Sequence, residues 1–299
     1  MVIIIISLFI FNLIGIVFAI PFWGTEAIKS LTGGITFNIN NNIIFFKYLQ
    51  IVNQLGMFVA PSLLFAYLIN GNITSYLKMK HQPNIYTLIA GILLIIVSMP
   101  FVNFLISLNE TMHLPQAFSG VEEWMRKSED SAEIFTKAFL NVTNIQGLFI
   151  NILMIAIIPA FGEEFLFRGI LLKLFKEWTG NFHFAIFISA FLFSAMHLQF
   201  FGFFPRMFLG LLLGYMFYFS RNLWVPIIAH FFNNAFAVII SFLNNNKITQ
   251  TDIDSLGSKG NDFWLIICSI LLTVLLIVGI YKKEQIKKEE EIKSPSSLY

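Results

Sequence analysis

Residues 151–175 read NILMIAIIPAFGEEFLFRGILLKLF, and two adjacent glutamates, Glu163 and Glu164, interrupt an otherwise apolar run. The run extends from Ile145 to Leu174 and is long enough to cross a bilayer, which takes about 20 mostly apolar residues. A charged side chain near the bilayer centre costs about 2.5–3.5 kcal/mol, so an acidic residue at that depth usually has a functional role. The pattern therefore predicts a membrane helix that carries a functional pair of carboxylates.

The composition of the whole chain is that of a membrane protein. Of its 299 residues, 57% are hydrophobic and only 12% are charged, whereas about 25% of the residues in a soluble domain are charged. The net charge of +2 is too small to indicate a nucleic-acid partner. We therefore expect membrane lipid, and no nucleic acid, around the folded chain.

The apolar stretches predict an all-α, polytopic membrane protein with about eight transmembrane helices. We expect residues 1–281 to form a single membrane domain and residues 282–299 to form a charged, disordered cytoplasmic tail. The predicted spans are Val2–Trp23, Ile43–Ile69, Ile85–Leu108, Gly147–Lys173, Phe182–Gln199, Met207–Phe219, Trp224–Leu243 and Phe263–Tyr281. The sixth is short, and we expect it to include residues from Gly202 onward.

The loop charges predict the orientation in the membrane. In an eight-span arrangement most of the basic residues between spans fall on one side, so both termini are predicted to be cytoplasmic. The acidic loop 109–144 falls on the other side. Its segment Glu122–Phe139 has the pattern of an amphipathic surface helix, with Trp124 as an interfacial anchor. The basic residues on the first side are Lys78, Lys80, Arg168, Lys173, Lys176, Arg221, Lys282, Lys283, Lys287, Lys288 and Lys293.

The two glutamates differ in their helical neighbours. Glu164 and Arg168 are four residues apart and share a helix face, which permits an ion pair. Glu163 is turned about 100° away and has no obvious partner in the same helix. This difference suggests that Glu164 supports the site and that Glu163 is available as a general base.

Two further predicted spans carry polar groups at helical spacing. Phe193 and His197 are four residues apart in span five, and His230 and Asn234 are four apart in span seven. Each feature alone has a structural explanation, because ion pairs and polar side chains also join membrane helices. Together they favour one interior pocket, since polar side chains in a membrane face the bundle interior or a water-filled cavity.

These motifs resemble the type II CAAX prenyl endopeptidase and bacteriocin-processing (CPBP, Abi) family of intramembrane proteases. The resemblance covers residues 161–234 and implies an active site inside the membrane, with a catalytic core at about 145–243. It implies that Glu163 activates water, His197 positions that water, and His230 and Asn234 stabilise the oxyanion. Glu164, Arg168 and Phe193 would support the site.

The substrate and the chemistry leave alternatives open. The expected substrate is a membrane-associated peptide or protein, either CAAX-type or a peptide precursor. We expect no cofactor and favour no metal; if a divalent metal such as zinc binds, its ligands would be Glu163, His197 and His230. The alternatives are a proton-coupled transporter that uses buried Glu and His, and a non-catalytic membrane scaffold or immunity protein.

Overall fold

The computed structural model describes residues 2–24, 42–250, 256–257 and 262–293, with side chains as far as residue 287. Within these ranges every regular element is a helix, so the expected all-α fold is confirmed. The helices are α1 (Val2–Trp23), α2 (Ile43–Asn70), α3 (Ile73–Tyr76), α4 (Ile85–Glu110), α5 (Ser119–Leu140), α6 (Ile145–Thr179), α7 (Phe182–Ala195), α8 (Phe203–Ser220), α9 (Trp224–Asn245) and α10 (Phe263–Lys293).

Seven helices in the described part of the chain are long and apolar enough to cross a membrane: α1, α2, α4, α6, α8, α9 and α10. The chain is therefore an integral membrane protein. The first predicted span agrees with α1 at both ends, and α8 begins at Phe203, as expected for the short sixth span.

Predicted span five needs a correction. It was expected to run from Phe182 to Gln199, but α7 ends at Ala195 and has 14 residues. At about 1.5 Å per residue it is about 21 Å long, which is shorter than the hydrocarbon core of about 30 Å. The chain leaves the helix in a turn that contains Leu198 in the left-handed conformation, with φ of 53°. The described residues thus contain seven candidate spans and one short apolar helix, where eight spans were expected.

The chain divides into two compact units, and small residues allow close helix contacts in the first. A Cβ atom built on Gly15 of α1 would lie 2.7 Å from Val52 Cγ1 of α2. A Cβ atom on Gly162 of α6 would lie 2.8 Å from Phe58 Cβ of α2. Glycines of this kind are typical of packed membrane helices, because they let the backbones approach closely. The first unit comprises Met1–Leu77, Asp130–Ile170 and Phe231–Thr251.

The second unit is held by small residues and by polar side chains that bond to backbone atoms. Ser269 Oγ of α10 donates to the Val97 carbonyl of α4 at 2.6 Å. A Cβ atom on Gly210 of α8 would lie 3.1 Å from Ala190 Cβ of α7. The second unit comprises Lys78–Glu129, Leu171–His230 and Asp252–Tyr299.

The C-terminal segment differs from the disordered tail that we expected from residue 282. Helix α10 continues as far as Lys293, and residues 294–299 lie outside the described residues. The membrane part of α10 supplies a formed helix, so adding further Lys, Glu and Gln residues needs no new nucleation step. Thr87 Oγ1 donates to the Glu284 carboxylate, and this contact holds the extension against α4.

Helix α5 has the surface character expected from its sequence, since none of its residues is buried. Glu122 in its first turn accepts bonds from Arg126 Nη2 at 2.7 Å and from the Leu114 N–H at 2.9 Å, and the His113 ring lies 2.9 Å away. Contacts with His113, Arg126 and Leu114 lower the pKa of Glu122 from 4.5 to about 2.

The contribution of Glu122 to stability should therefore depend on pH. Because its folded pKa is below its unfolded value, the contribution is present above about pH 4.5 and is lost as pH falls through about 2. The difference in unfolding free energy between wild type and Glu122→Gln should stay constant from pH 7 to 5 and shrink below that. Thermal unfolding in detergent across this range measures it, and a difference that is already gone at pH 6 would contradict the assignment.

Gly162→Ala should destabilise the protein by about 1–3 kcal/mol, because the added methyl group overpacks the contact with Phe58. Gly279→Ala is the matched control, since a Cβ atom there meets nothing within 4 Å. Alanine also has a higher helix propensity than the glycine it replaces. Thermal unfolding of both variants should show a lower Tm for the first and an unchanged or higher Tm for the second. Equal stability of Gly162→Ala and wild type would refute the close contact.

Candidate active site

Helix α6 changes its form at the two glutamates. Residues Ile158–Glu164 are α-helical, and the next seven, Phe165–Leu171, form a π-helical turn. The side chains from Gly162 to Ile170 are buried without exception. Such π-helical turns are rare and occur frequently at functional sites. The carboxylates are therefore enclosed by protein at an irregular point of the helix.

Glu164 and Arg168 form the ion pair that their spacing permits. Arg168 Nη1 donates to Glu164 Oε1 at 2.7 Å, and the side chains are 1% and 0% exposed. Full burial removes the screening that makes most surface pairs weak. The pair is thus a fixed part of the interior of the first unit.

Glu163 is also enclosed, with 5% of its surface exposed. The expectation that it lacks a partner in its own helix is corrected, because the charge of Arg168 acts on both Glu163 and Glu164. The preceding residue, Gly162, packs against Phe58, and this contact brings α2 close to the carboxylates. The positive charge of Arg168 therefore attracts both carboxylates, and its hydrogen bond is to Glu164.

Asn234 of α9 bonds within the first unit. Its Nδ2 donates to the Ile155 carbonyl at 3.0 Å, and its Oδ1 accepts from Asn233 Nδ2 at 3.0 Å. Ile155 belongs to another π-helical turn of α6, Ile152–Ile157. These bonds fix the orientation of the amide. They use its oxygen and one of the two hydrogens on Nδ2.

His197 lies in the turn that follows α7, and its side chain is exposed. Its Nδ1 lies 2.8 Å from the Phe193 carbonyl oxygen, which can only accept, so Nδ1 carries the hydrogen and donates. In the neutral ring Nε2 then presents its lone pair. His197 is thereby prepared to accept a hydrogen bond from water or another donor.

The ring of Phe193 lies against the imidazoles of His197 and His230. Its centroid is 5.2 Å from that of His197 and 6.0 Å from that of His230, and both contacts are edge-to-face. Phe193 and His230 are buried, with 4% and 6% exposure. The F-x-x-x-H spacing therefore has a physical basis, because one residue supplies the carbonyl for His197 and the ring surface for both histidines.

The predicted residues thus fall into two groups. Glu163, Glu164, Arg168 and Asn234 belong to the first unit, and Phe193, His197 and His230 belong to the second. Helix α9 carries both His230 and Asn234, one turn apart. The catalytic roles of these residues stay predictions.

Sequence reasoning missed two polar contacts of the first unit. Lys47 is 7% exposed within α2, and its Nζ donates to Asn151 Oδ1 at 2.7 Å. Asn233 orients Asn234 through its side chain. The sequence did show these polar residues inside apolar runs. It did not show the contacts, because Lys47 and Asn151 are far apart in sequence and the neighbouring Asn233 and Asn234 match no known motif as a pair.

A zinc ion would need at least three ligands close together in the described part of the chain. No group of three or more His, Cys, Asp and Glu side chains there is placed to hold a metal ion. The expectation that the site works without a metal stays a prediction.

Breaking the Glu164–Arg168 pair should be costly, while replacing both partners should cost less. Glu164→Leu or Arg168→Met should each destabilise the protein by about 3–5 kcal/mol, because each leaves one buried charge without its counter-charge. The double variant Glu164→Leu/Arg168→Met should recover a large part of that loss. Denaturant unfolding of the four proteins completes the cycle, and additive losses would contradict a direct interaction.

The motif-bearing helices are similar to known proteins. Residues 145–236 match the family model described as type II CAAX prenyl endopeptidase Rce1-like. A Bacillus subtilis (strain 168) protein named "Putative membrane peptidase YdiL" is 32% identical over 105 residues, which is 35% of this chain and 42% of that protein. No solved structure matches the chain significantly. The resemblance recognised from the three motifs is therefore confirmed over residues 145–236, which are similar to the type II CAAX prenyl endopeptidase family.

Proposed function

We propose that this protein is an intramembrane endopeptidase that hydrolyses peptide bonds of membrane-associated substrates. The observation that carries the proposal is Glu163, a buried carboxylate in a membrane helix, within the residues that match a peptidase family. The chain spans less than half the length of the curated relative it matches, so the activity of the whole protein is our inference.

In the proposed reaction, Glu163 is the base. Its carboxylate takes a proton from water as the water oxygen attacks the scissile carbonyl carbon, and a tetrahedral oxyanion forms. The proton then moves from Glu163 to the amide nitrogen, the C–N bond breaks, and the amine leaves. General acid–base catalysis of this kind contributes typically about 10²–10⁴-fold to the rate.

The other predicted residues have compatible donor and acceptor properties. His197 Nε2 would accept a hydrogen bond from the attacking water, because Nδ1 donates to the Phe193 carbonyl. The second N–H of the Asn234 amide and a ring N–H of His230 would donate to the oxyanion. Removing one oxyanion donor typically costs about 10²–10³-fold in kcat.

Arg168 would reduce the net negative charge of the proposed site. Two ionised carboxylates side by side repel each other, and the guanidinium offsets one of the two negative charges. Since Arg168 Nη1 bonds to Glu164, we propose that Glu164 holds the guanidinium in place and Glu163 remains the reactive carboxylate.

We propose a metal-independent reaction. The reaction described above uses only carboxylate, imidazole and amide groups of the chain, so no step is assigned to a metal. Activity should accordingly survive prolonged treatment with EDTA and 1,10-phenanthroline, with less than one zinc per ten chains by elemental analysis. Loss of activity on chelation, restored by zinc, would contradict this proposal.

We also propose that the basic end of the second unit faces the cytoplasm. Residues of the α3–α4 loop, the end of α8 and the end of α10 line one cleft of about 620 Å³, so these three segments share one side of the membrane. Cytoplasmic loops are enriched in Lys and Arg, and His81, Arg221 and Lys287 lie in this cleft. The C-terminus would then be cytoplasmic, and the expected cytoplasmic N-terminus stays a prediction.

The substrate class is open to a direct search. CAAX-type proteins and peptide precursors both present a peptide bond at the membrane, and we propose a substrate of one of these two kinds. Membranes from cells without the protein, incubated with the purified protein in liposomes, should yield new termini by mass spectrometry. A farnesylated CAAX peptide and the same peptide without the lipid separate the two classes.

Glu163→Gln should reduce cleavage by about 10²–10⁴-fold, because the amide cannot take the proton from water. Glu177→Gln is the matched control, since Glu177 lies on the same helix with an exposed side chain, and it should cleave like wild type. Initial cleavage rates in liposomes measure both. An active Glu163→Gln variant, or proton-driven uptake of a solute without any cleavage, would contradict the protease assignment.

A further inference from the structure

The segment that carries His197 has little regular structure of its own. Residues 196–202, called here the His197 segment, connect α7 to α8 within the second unit. Leu198 adopts the left-handed conformation, which costs a residue with a side chain about 1–2 kcal/mol. The position of the segment therefore depends on contacts from neighbouring elements.

Asn109, near the end of α4, makes hydrogen bonds to two backbone groups where the His197 segment joins α8. Its Nδ2 donates to the Phe200 carbonyl at 2.8 Å, and its Oδ1 accepts from the Phe204 N–H at 3.3 Å. Gly202 at the start of α8 offers no side chain that could accept a bond from the first turn. Asn109 is 3% exposed and supplies that acceptor from another helix.

The first half of α5 contacts the same segment from another direction. Glu129 Oε2 accepts from the Phe201 N–H at 3.2 Å, and the Arg126 guanidinium lies over the Phe201 ring, 4.5 Å from its centroid. The rings of Trp124 and Phe200 are 5.2 Å apart. Three residues within two turns of one surface helix thus contact two adjacent residues of the His197 segment.

Helix α8 completes the enclosure of the segment. Arg206 Nη1 donates to the Gln199 carbonyl at 3.2 Å. A Cβ atom at position 202 would lie 2.7 Å from Arg206 Nη2, so Gly202 leaves room for the guanidinium in this orientation. The segment is therefore held at Gln199, Phe200 and Phe201, immediately after His197.

We propose that Asn109 and Glu129, together with the Trp124 ring, are positioning residues for His197. The proposal rests on the proposed function, in which His197 holds the attacking water. A misplacement of about 1 Å can cost about 10²-fold in rate, so loosening this segment should reduce turnover. None of the three residues touches the substrate in this account.

The experiment compares truncated and conservative variants of two contacts. Glu129→Ala removes the acceptor for the Phe201 N–H, whereas Glu129→Gln keeps a carbonyl oxygen there. Trp124→Ala removes the ring, whereas Trp124→Phe keeps an aromatic surface. Lys127→Ala is the matched control on α5, because its ion pair with Glu123 is exposed, with side chains 73% and 68% accessible.

The expected result is a selective loss of turnover. Glu129→Ala and Trp124→Ala should lower kcat about 10–100-fold with KM within about twofold, while Glu129→Gln, Trp124→Phe and Lys127→Ala should keep most of the activity. Asn109→Ala should act in the same direction as the other truncations. Normalising to folded protein by size-exclusion chromatography separates this loss from simple unfolding.

Hydrogen–deuterium exchange of the peptide covering residues 198–204 reports on the segment without requiring any activity. The two alanine variants should exchange at least about tenfold faster there than wild type, and the conservative variants should not. Unchanged exchange in Glu129→Ala and Trp124→Ala would overturn the proposal. Faster exchange with unchanged kcat would also overturn it, provided that His197→Ala is inactive.

Failure of the proposed function has a different signature. In that case the wild-type protein cleaves no substrate, or Glu163→Gln and His197→Ala cleave normally, whatever the exchange of residues 198–204. The positioning role alone is refuted if cleavage requires Glu163 and His197 but the variants at positions 124 and 129 have the same kcat as the Lys127→Ala control.

Discussion

The buried ion pair between Glu164 and Arg168 is the constraint on which the rest of the first unit depends. Each charge alone would be very unfavourable in an apolar interior, and the 2.7 Å bond gives each fully buried group its counter-charge. The pair also keeps a guanidinium beside Glu163, whose carboxylate it influences. A second buried acid is tolerable at this position because the cation is already fixed there.

The packing around this pair follows from the need to exclude lipid from charged groups. Gly162 lets α2 approach α6 next to the carboxylates, and the π-helical turns on either side of Ile158–Glu164 adjust the faces that α6 presents. One of these turns also supplies the Ile155 carbonyl that orients Asn234. The irregular backbone of α6 is thus used for bonding at a site where a regular helix would keep its carbonyls internal.

In the second unit, Phe193 has the corresponding organising role. Its carbonyl sets the hydrogen position on His197, and its ring supports His197 and His230. The sequence spacing predicted that Phe193 and His197 share a helix face, yet His197 lies beyond the end of α7. The interaction survives because the turn keeps the ring nitrogen within hydrogen-bond distance of the carbonyl four residues earlier.

Much of the fold and part of the site could be predicted from sequence for physical reasons. Long apolar runs define membrane helices, and i, i+4 spacing predicted the Glu164–Arg168 pair. The early end of α7 was not predictable, because apolar residues continue past Ala195 and the turn at Leu198 has no glycine to indicate it. The helical extension of α10 was missed because a run of charged residues is exposed to water both in a disordered tail and in a solvated helix, so its composition does not distinguish the two. The contacts of Asn109 and Glu129 with residues 200–204 join positions that are distant in sequence, so no local pattern could indicate them.

The central claim is that a carboxylate-activated water cleaves the peptide bond, and a single-turnover reaction in H₂¹⁸O tests it directly. With the protein in excess over a cleavable peptide, direct attack by water places one ¹⁸O atom in the new carboxyl group of the product and none in the protein. We predict this result. An unlabelled product carboxyl with ¹⁸O in the Glu163 side chain would show a covalent intermediate at that residue, and an uncleaved peptide would contradict the protease itself.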